Sequence, residues 1–420
     1  MAKCVTPRGT HDILPEDWRY WNYVHRHAEE VARLYGYRRI ETPTFGEVSL
    51  FTRTTGADTD TGKEMYVFRD RDGTEMALRP EGTAPVVRAY LQHGMTRQSQ
   101  PVKLYYLERV YRYDRPQRGR YREHHQFGCE AVGVESAQVD VELIALLRLF
   151  YQRLGLRELA LHINTIGDPV CRPAYIETLV AYLRERESEL ADIDRERVTR
   201  NPLRVLDSKE RESQRVIEGA PSMDRFLCSA CATHWSELRS GLDDLNITYT
   251  VNHRLVRGLD YYTRTVFEFI PDQGGSQTTI GAGGRYDRLA EAIGGPHVPG
   301  VGFGTGLERV VLNLREQNVP VAEDAGIDIF IAYIGIRART AAMKCADDVR
   351  RDGSSAVTAF GERSVKAQLR QADAMGARFA VVLGDDELST GTVAVREMSG
   401  RGQEDVQLTD LAAFISARSS

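Results

Sequence analysis

Cysteine is scarce in this sequence, with six residues in 420. Cys4, Cys129, Cys171, Cys228, Cys231 and Cys345 are too dispersed for a disulfide-built scaffold. A chain of this length can bury a full core without such staples. Long apolar runs are missing too, and none reaches the ~20 residues of a membrane-spanning helix. The opening Met1-Ala2-Lys3-Cys4-Val5-Thr6-Pro7-Arg8-Gly9-Thr10 has no apolar core of signal-peptide length. A reduced, cytoplasmic protein with no membrane partner is therefore expected. Basic excess is absent as well: 55 Lys and Arg against 60 Asp and Glu give a net charge of −5. Any nucleic-acid contact must come from local basic patches. Hydrophobic residues at 42% and charged residues at 27% exclude collagen-like, mainly disordered and multi-span classes. Internal repeats and low-complexity segments are not found. Nor are a GxSxG nucleophile elbow, HExxH, a kinase signature set or a P-loop.

At roughly 150 residues per domain, two or three domains are expected. Apolar residues recur at helical spacing over 16–35, and Gly36 is placed to end that helix in a left-handed conformation. Short strands are expected at 37–41, 65–68, 75–78 and 102–106. Two more, at 107–113 and 127–134, would flank an arginine-rich loop. A helix over 139–154 would bury Leu143, Ile144, Leu146, Leu147 and Phe150, and 159–163 returns to strand. Residues 169–246 are mostly helical and highly charged, which reads as an insertion. Strands resume at 247–253 and 266–270, and a helix over 306–315 leads into a polar linker at 316–326. Beyond it, strands and helices alternate, as in a small α/β domain with a mainly parallel sheet.

Chemistry-bearing residues cluster in a few segments. Tyr111-Arg112-Tyr113-Asp114-Arg115-Pro116-Gln117-Arg118-Gly119-Arg120-Tyr121-Arg122 is an arginine-dense loop suited to phosphate or RNA. Its bland alternative is a solvated, salt-bridged hairpin. Val301-Gly302-Phe303-Gly304-Thr305-Gly306 alternates glycines before a helix that carries Arg309, so backbone or ligand can approach closely there. Arg257, Tyr261 and Tyr262 precede a strand, and Gly281-Ala282-Gly283-Gly284-Arg285-Tyr286-Asp287 reads as a glycine turn into a helix. Arg79-Pro80-Glu81-Gly82-Thr83 puts a carboxylate on a rigid turn, able to anchor an ammonium group. Gln126, Gly128 and Glu130 alternate on one face of a strand. Cys228-Ser229-Ala230-Cys231-Ala232-Thr233-His234 offers three soft ligands, but no second pair completes a zinc set. The two cysteines are expected as reduced helix residues, and no metal ligand is assigned.

Taken in order, these segments resemble the class II aminoacyl-tRNA synthetases, and among them the histidyl-tRNA synthetase family. The stretch from Gly36-Tyr37 to Pro43 is similar to motif 1, from Tyr111 to Glu130 to motif 2, and from Gly302 to Arg309 to motif 3. Segments 255–262 and 281–286 resemble the two stretches peculiar to the histidine enzymes. Gly361-Glu362-Arg363-Ser364-Val365-Lys366 and Val382-Leu383-Gly384-Asp385-Asp386-Glu387-Leu388 resemble the anticodon-binding domain.

The resemblance implies an α+β fold, an antiparallel class II sheet flanked by helices. It implies a discontinuous catalytic domain (1–168 and 247–320), a helical insertion (169–246) and a C-terminal α/β anticodon-binding domain (327–420). It also implies a homodimer that joins histidine to tRNA(His) through an adenylate, with ATP as substrate and Mg²⁺. Arg112 and Arg309 would bind the ATP phosphates and Arg257 would stabilise charge on the α-phosphate. Glu81, Thr83 and Gln126 would hold the α-amino group of histidine, while Glu130, Tyr261 and Tyr262 would read its imidazole. Arg120 would touch the adenylate, and Arg115, Gln117 and Arg118 the tRNA acceptor end. One departure is Asp114, where the family pattern usually has Glu. A paralogue of these enzymes is a non-catalytic regulatory subunit of ATP phosphoribosyltransferase. It would be expected to lack the catalytic arginines or the last domain, and this chain carries both.

Overall fold

The computed structural model describes residues 3–55, 60–257, 261–271, 279–323, 326–400 and 402–419. Gly258, Leu259 and Asp260 of the expected histidine-specific segment, and Asp324 and Ala325 of the linker, lie outside the described residues. The chain divides into two compact units, 1–321 and 322–420.

The first unit is organised around an eight-stranded sheet. Its spatial order is Arg38–Arg39, Val102–Tyr111, Glu123–Val132, Gly300–Gly306, Gly281–Arg285, Thr263–Pro271, Leu159–Thr165, Thr250–Val251. The central pairings are antiparallel, and only the two-residue end strands pair in parallel. Helices Trp18–Leu34, Ala137–Arg153 and Leu307–Glu316 cover one face. Leu143, Ile144, Leu146, Leu147 and Phe150 are wholly buried there, as the helical spacing requires. Gly36 has φ +77° and ends the first helix.

The other face carries helix Thr83–Gln92 and the insertion helices Arg172–Glu185, Asp192–Arg200 and Arg211–Glu218, which share one apolar cluster with Tyr106, Tyr261, Tyr262 and Tyr286. Helix Ser229–Asp244 instead packs Trp235, Leu238 and Leu242 into the core of the first face. A separate three-stranded sheet joins Phe45–Glu47, Glu75–Leu78 and Val67–Arg69.

In this unit two expectations need correction. The separate strands at 102–106 and 107–113 are one strand, Val102–Tyr111. Its lack of strict alternation reflects burial on both faces. The glycine-rich 281–287 segment is a strand up to Arg285, not a turn, because neighbouring strands pair with it on both sides.

The second unit has a five-stranded sheet in the order Ala356–Thr358, Ile329–Tyr333, Phe379–Leu383, Thr392–Glu397, Gln403–Gln407. The first three strands are parallel and the last two form an antiparallel extension, so the sheet is mixed rather than mainly parallel. Helix Gly335–Arg351 buries Ala338, Ala342, Ala346 and Val349 along one stripe. Ser364 caps helix Val365–Ala374 by accepting from the Ala367 amide.

Candidate active site

On the open face of the large sheet lies a cavity of about 310 Å³. Glu81, Thr83, Arg112, Arg120, Gln126, Arg257, Tyr261, Tyr262 and Arg309 all line it. Segments more than two hundred residues apart in sequence are thus brought to one site. Glycines make the room. Gly302 pairs with Glu130, and Gly304 lies beside Gln126 across the sheet. A Cβ at Gly302 would overlap the Glu130 carboxylate, and one at Gly304 would overlap the Gln126 amide. The alternation therefore clears a trough in which two polar side chains lie flat on the neighbouring strand.

Glu81 sits just before helix Thr83–Gln92 and accepts from the Thr83 and Ala84 amides at 2.6 and 2.9 Å. Those amides and the helix end favour its charged form, yet burial outweighs them and raises its pKa. Arg112 is steered by a bond from Nε to the Pro80 carbonyl at 2.7 Å. Arg309 stands in the first turn of its helix. It donates to the Gly119 carbonyl at 3.0 Å and the Thr279 carbonyl at 2.5 Å, which ties motif 3 to the arginine-rich loop. Arg257 pairs with Glu268, and its buried Nε has no partner among the described residues. An unsatisfied guanidinium nitrogen beside a polar cavity is an open donor for an anion.

Glu130 does not line the cavity. It lies wholly buried beneath, and Thr83 Oγ1 (2.8 Å), Tyr106 OH (3.2 Å) and Tyr286 OH (2.5 Å) all bond it. Burial lifts its pKa to about 8, against the pull of these hydroxyls. Thr83 both lines the cavity and donates to Glu130, so one hydroxyl separates the carboxyl from the site.

Arg115, Gln117 and Arg118 are exposed and outside the cavity, and Arg118 pairs with Glu316 at 2.6 Å. Asp114 is buried, pairs with Arg120 and accepts from the Arg115 amide at 2.6 Å. The shorter acid is thus spent on shaping its own loop.

The sequence reading missed His124, Glu268 and Glu308, which also line the cavity. Burial, then Arg112 and Arg309, lowers the His124 pKa to about 3, so this imidazole is neutral. Glu268 sits between Phe267 and Phe269, whose rings face the core. A lone acid in that apolar strand was the available signal. Glu308 accepts from the His125 amide at 2.9 Å and faces its ring nitrogen. Beneath the site, fully buried Arg285 pairs with Asp140 and Asp287 and donates to the Val134 and Ser136 carbonyls. Burial pushes the Asp140 pKa up, but Arg285 and His234 bring it down to about 2.

The histidyl-tRNA synthetase family model matches residues 9–310, and an anticodon binding domain model matches residues 328–418. The chain belongs to the histidyl-tRNA synthetase family. The histidine–tRNA ligase of Dehalococcoides mccartyi strain 195 is 48% identical over 98% of both chains. The crystal structure of the apo histidyl-tRNA synthetase of S. aureus superposes with a TM-score of 0.84 at 37% identity, covering 99% of this chain and 100% of that one. A Bacillus halodurans protein described as an ATP phosphoribosyltransferase regulatory subunit/histidyl-tRNA synthetase shares the fold. It gives a TM-score of 0.65 at 23% identity, covering 90% of this chain and 98% of that one. No helix among the described residues of this synthetase-family chain is long and apolar enough to cross a membrane.

Proposed function

We propose that this chain joins histidine to tRNA(His) in two ATP-driven steps. The observation that carries the reading is one cavity holding four arginines together with Glu81, Thr83, Gln126, Tyr261 and Tyr262. In the first step a histidine carboxylate oxygen attacks the α-phosphorus of ATP and pyrophosphate leaves. In the second, a terminal ribose hydroxyl of the tRNA attacks the adenylate carbonyl and AMP leaves. Both reactants of the first step are anionic. Acceleration then comes from positioning and charge neutralisation, and no covalent enzyme nucleophile is needed.

Arg112 and Arg309 would hold the phosphates and Arg120 the adenylate. Arg257, whose Nε has no partner among the described residues, would follow the charge that develops on the α-phosphate. Glu81, Thr83 and Gln126 would take the ammonium group. Tyr261 and Tyr262 would meet the imidazole, with Glu130 beneath acting on it through the Thr83 hydroxyl, and an analogue that left these polar groups unpaired would be rejected.

Mg²⁺ usually takes one or two carboxylates plus substrate phosphates. Glu268 and Glu308 are oxygen donors of that kind in the cavity. The ion would neutralise part of the triphosphate charge.

The catalytic domain would comprise 1–168 and 247–320, the insertion 169–246 and the anticodon-binding domain 327–420. Arg115, Gln117 and Arg118 would meet the acceptor end, where their exposure supports contact with a polyanion. A homodimer in the cytoplasm is the expected form. Exposed Phe45, Val67 and Phe68 on the small sheet, next in sequence to motif 1, support such an interface.

ATP–pyrophosphate exchange with each of the twenty amino acids, without tRNA, tests the reading. Exchange with histidine alone is expected. Histidine binding without exchange would overturn it in favour of a regulatory role.

A further inference from the structure

Outside the cavity, the start of the insertion brings together four side chains that the catalytic reading does not use. Asp168 follows the sheet strand Leu159–Thr165, and Cys171 precedes helix Arg172–Glu185. Cys228 precedes helix Ser229–Asp244, and Cys231 lies in that helix's first turn. One carboxylate oxygen and three sulfurs lie within 4.8 Å of one another. Cys171 Sγ is 3.3 Å from Asp168 Oδ1, and Cys228 Sγ is 3.8 Å from Asp168 Oδ2.

We infer that Asp168, Cys171, Cys228 and Cys231 form a structural site for a tetrahedral divalent metal ion, with Zn²⁺ the chemistry that fits the donor set.

In sequence the Cys228–Cys231 pair stood without a complement, and His234 was its only soft neighbour. The fold supplies a second pair at the same three-residue spacing, Asp168 and Cys171. It sends His234 elsewhere, to Asp140 at 3.3 Å and Thr265 at 3.1 Å. Zinc–sulfur bonds of about 2.3 Å and zinc–oxygen bonds of about 2.0–2.2 Å give tetrahedral edges of roughly 3.5–3.8 Å. The observed spread closes onto such a site with shifts of about 1 Å or less.

Three thiolates and a carboxylate around one divalent ion carry two net negative charges. The surroundings answer that charge. The N-termini of the 14- and 16-residue helices begin at Cys171 and Cys228. Arg264, paired with Glu135 at 2.6 Å, also lies 3.9 Å from Asp168, and its buried Nε has no partner among the described residues.

The position suggests what the ion would do. Arg172, next to Cys171, donates to the carbonyls of Ile166, Gly167 and Tyr262 at 2.9, 3.1 and 2.6 Å. An ion here would pin both insertion helices to the end of the sheet and, through Arg172, to the backbone of a cavity-lining tyrosine.

The test is metal analysis of the full chain purified under reducing conditions without chelator. On the order of one zinc per chain is expected. Replacement by Co²⁺ should give visible tetrahedral ligand-field bands and a thiolate charge-transfer band. Cys228→Ser should lose both the metal and the bands. Since that variant could unfold, Asp168→Cys provides a second reading: it should stay folded, hold the ion with four sulfurs and release it to chelator more slowly than the parent. A folded, reduced parent that takes up neither zinc nor cobalt would overturn the site. So would full metal content in Cys228→Ser, or a Cys228–Cys231 disulfide in the parent under these conditions.

Discussion

The two compact units use their interiors differently. In the first, charged groups go deep: Arg285, Asp140, Glu130, Glu108 and Arg79 are all nearly or wholly buried. In the second, the buried polar residues among those described are Ser354, Thr358 and Gln368, all uncharged, and the rest of the interior is apolar and alanine-rich, with Phe330 and Tyr333 its buried aromatics. Buried charge is costly unless it is paired. A core that needs only to hold a surface in place has no use for it. The first unit must instead present carboxyls and guanidiniums at fixed points in a cavity, and their supports are polar too. The difference teaches that interior charge here marks where positions are defined for chemistry.

The comparison is broken most strongly at Arg285. Arg285→Ala leaves Asp140 and Asp287 buried without their cation, at a cost of about 3–5 kcal/mol. Trp18, Trp21 and Trp235 all lie in the first unit, so urea unfolding followed by tryptophan fluorescence reports on that unit. A loss below about 1 kcal/mol would mean that the network is not a support.

Arg257→Ala should keep histidine binding but slow adenylate formation by about 10²–10³-fold, the usual effect of removing a preorganised charge donor. Single-turnover rates within tenfold of the parent would remove Arg257 from the mechanism. Removing residues 322–420 should leave adenylate formation nearly intact. Charging should fall by about 10²-fold or more, as the loss of a second binding module implies. Equal losses in the two assays would assign that unit a structural role only.

In the second unit the matching lesion is Gln368→Ala. Gln368 accepts from the Tyr333 amide at 2.9 Å and donates to the carbonyls of Tyr333 and Arg363 at 2.9 Å each. Its loss should cost about 1–3 kcal/mol. Hydrogen exchange at Ile329–Tyr333 would report this, with adenylate formation unchanged. A change in adenylate rate would show that the two interiors are not independent.

Helices were the most legible part of this sequence, because a buried stripe repeats. Leu143, Ile144 and Leu147 announce theirs, and Gly36 marks where another stops. Polar edge strands were not legible: Gln403–Gln407 buries only Val406, so its pairing with Thr392–Glu397 leaves almost no trace in hydropathy. The glycine strands misled for a related reason. Gly281–Arg285 was expected as a turn because glycine is permissive there. It is a strand, and Gly281 and Gly283 are small because Tyr151 presses against the first and the Gly302 carbonyl and Phe267 against the second. At the site, motif residues such as Arg112 and Arg309 were visible in their local setting. Glu308 and His124 matter through partners far away in sequence, which no local pattern displays. The Asp168 and Cys171 pair was hidden from Cys228 in the same way.

The most specific test follows the titration of one buried acid. The Glu130 pKa is about 8 when folded against an ordinary value of 4.5. Between those two values the native state holds a proton that the unfolded chain has released. Stability from this group is therefore fully present at the acid end and declines as pH rises toward about 8. Asp140 acts in the opposite sense, but its contribution is lost only as pH falls from 3.8 to about 2, outside that window. Glu130→Gln cannot titrate. Across the window, the stability of the parent minus that of Glu130→Gln should fall steadily, and it should be flat on either side. Parallel stability curves for the two proteins would mean that Glu130 is ionised in its pocket. Its three hydroxyl partners would then outweigh burial, and the rule that the first unit protects its deep acids by protonation or pairing would fail at its central residue.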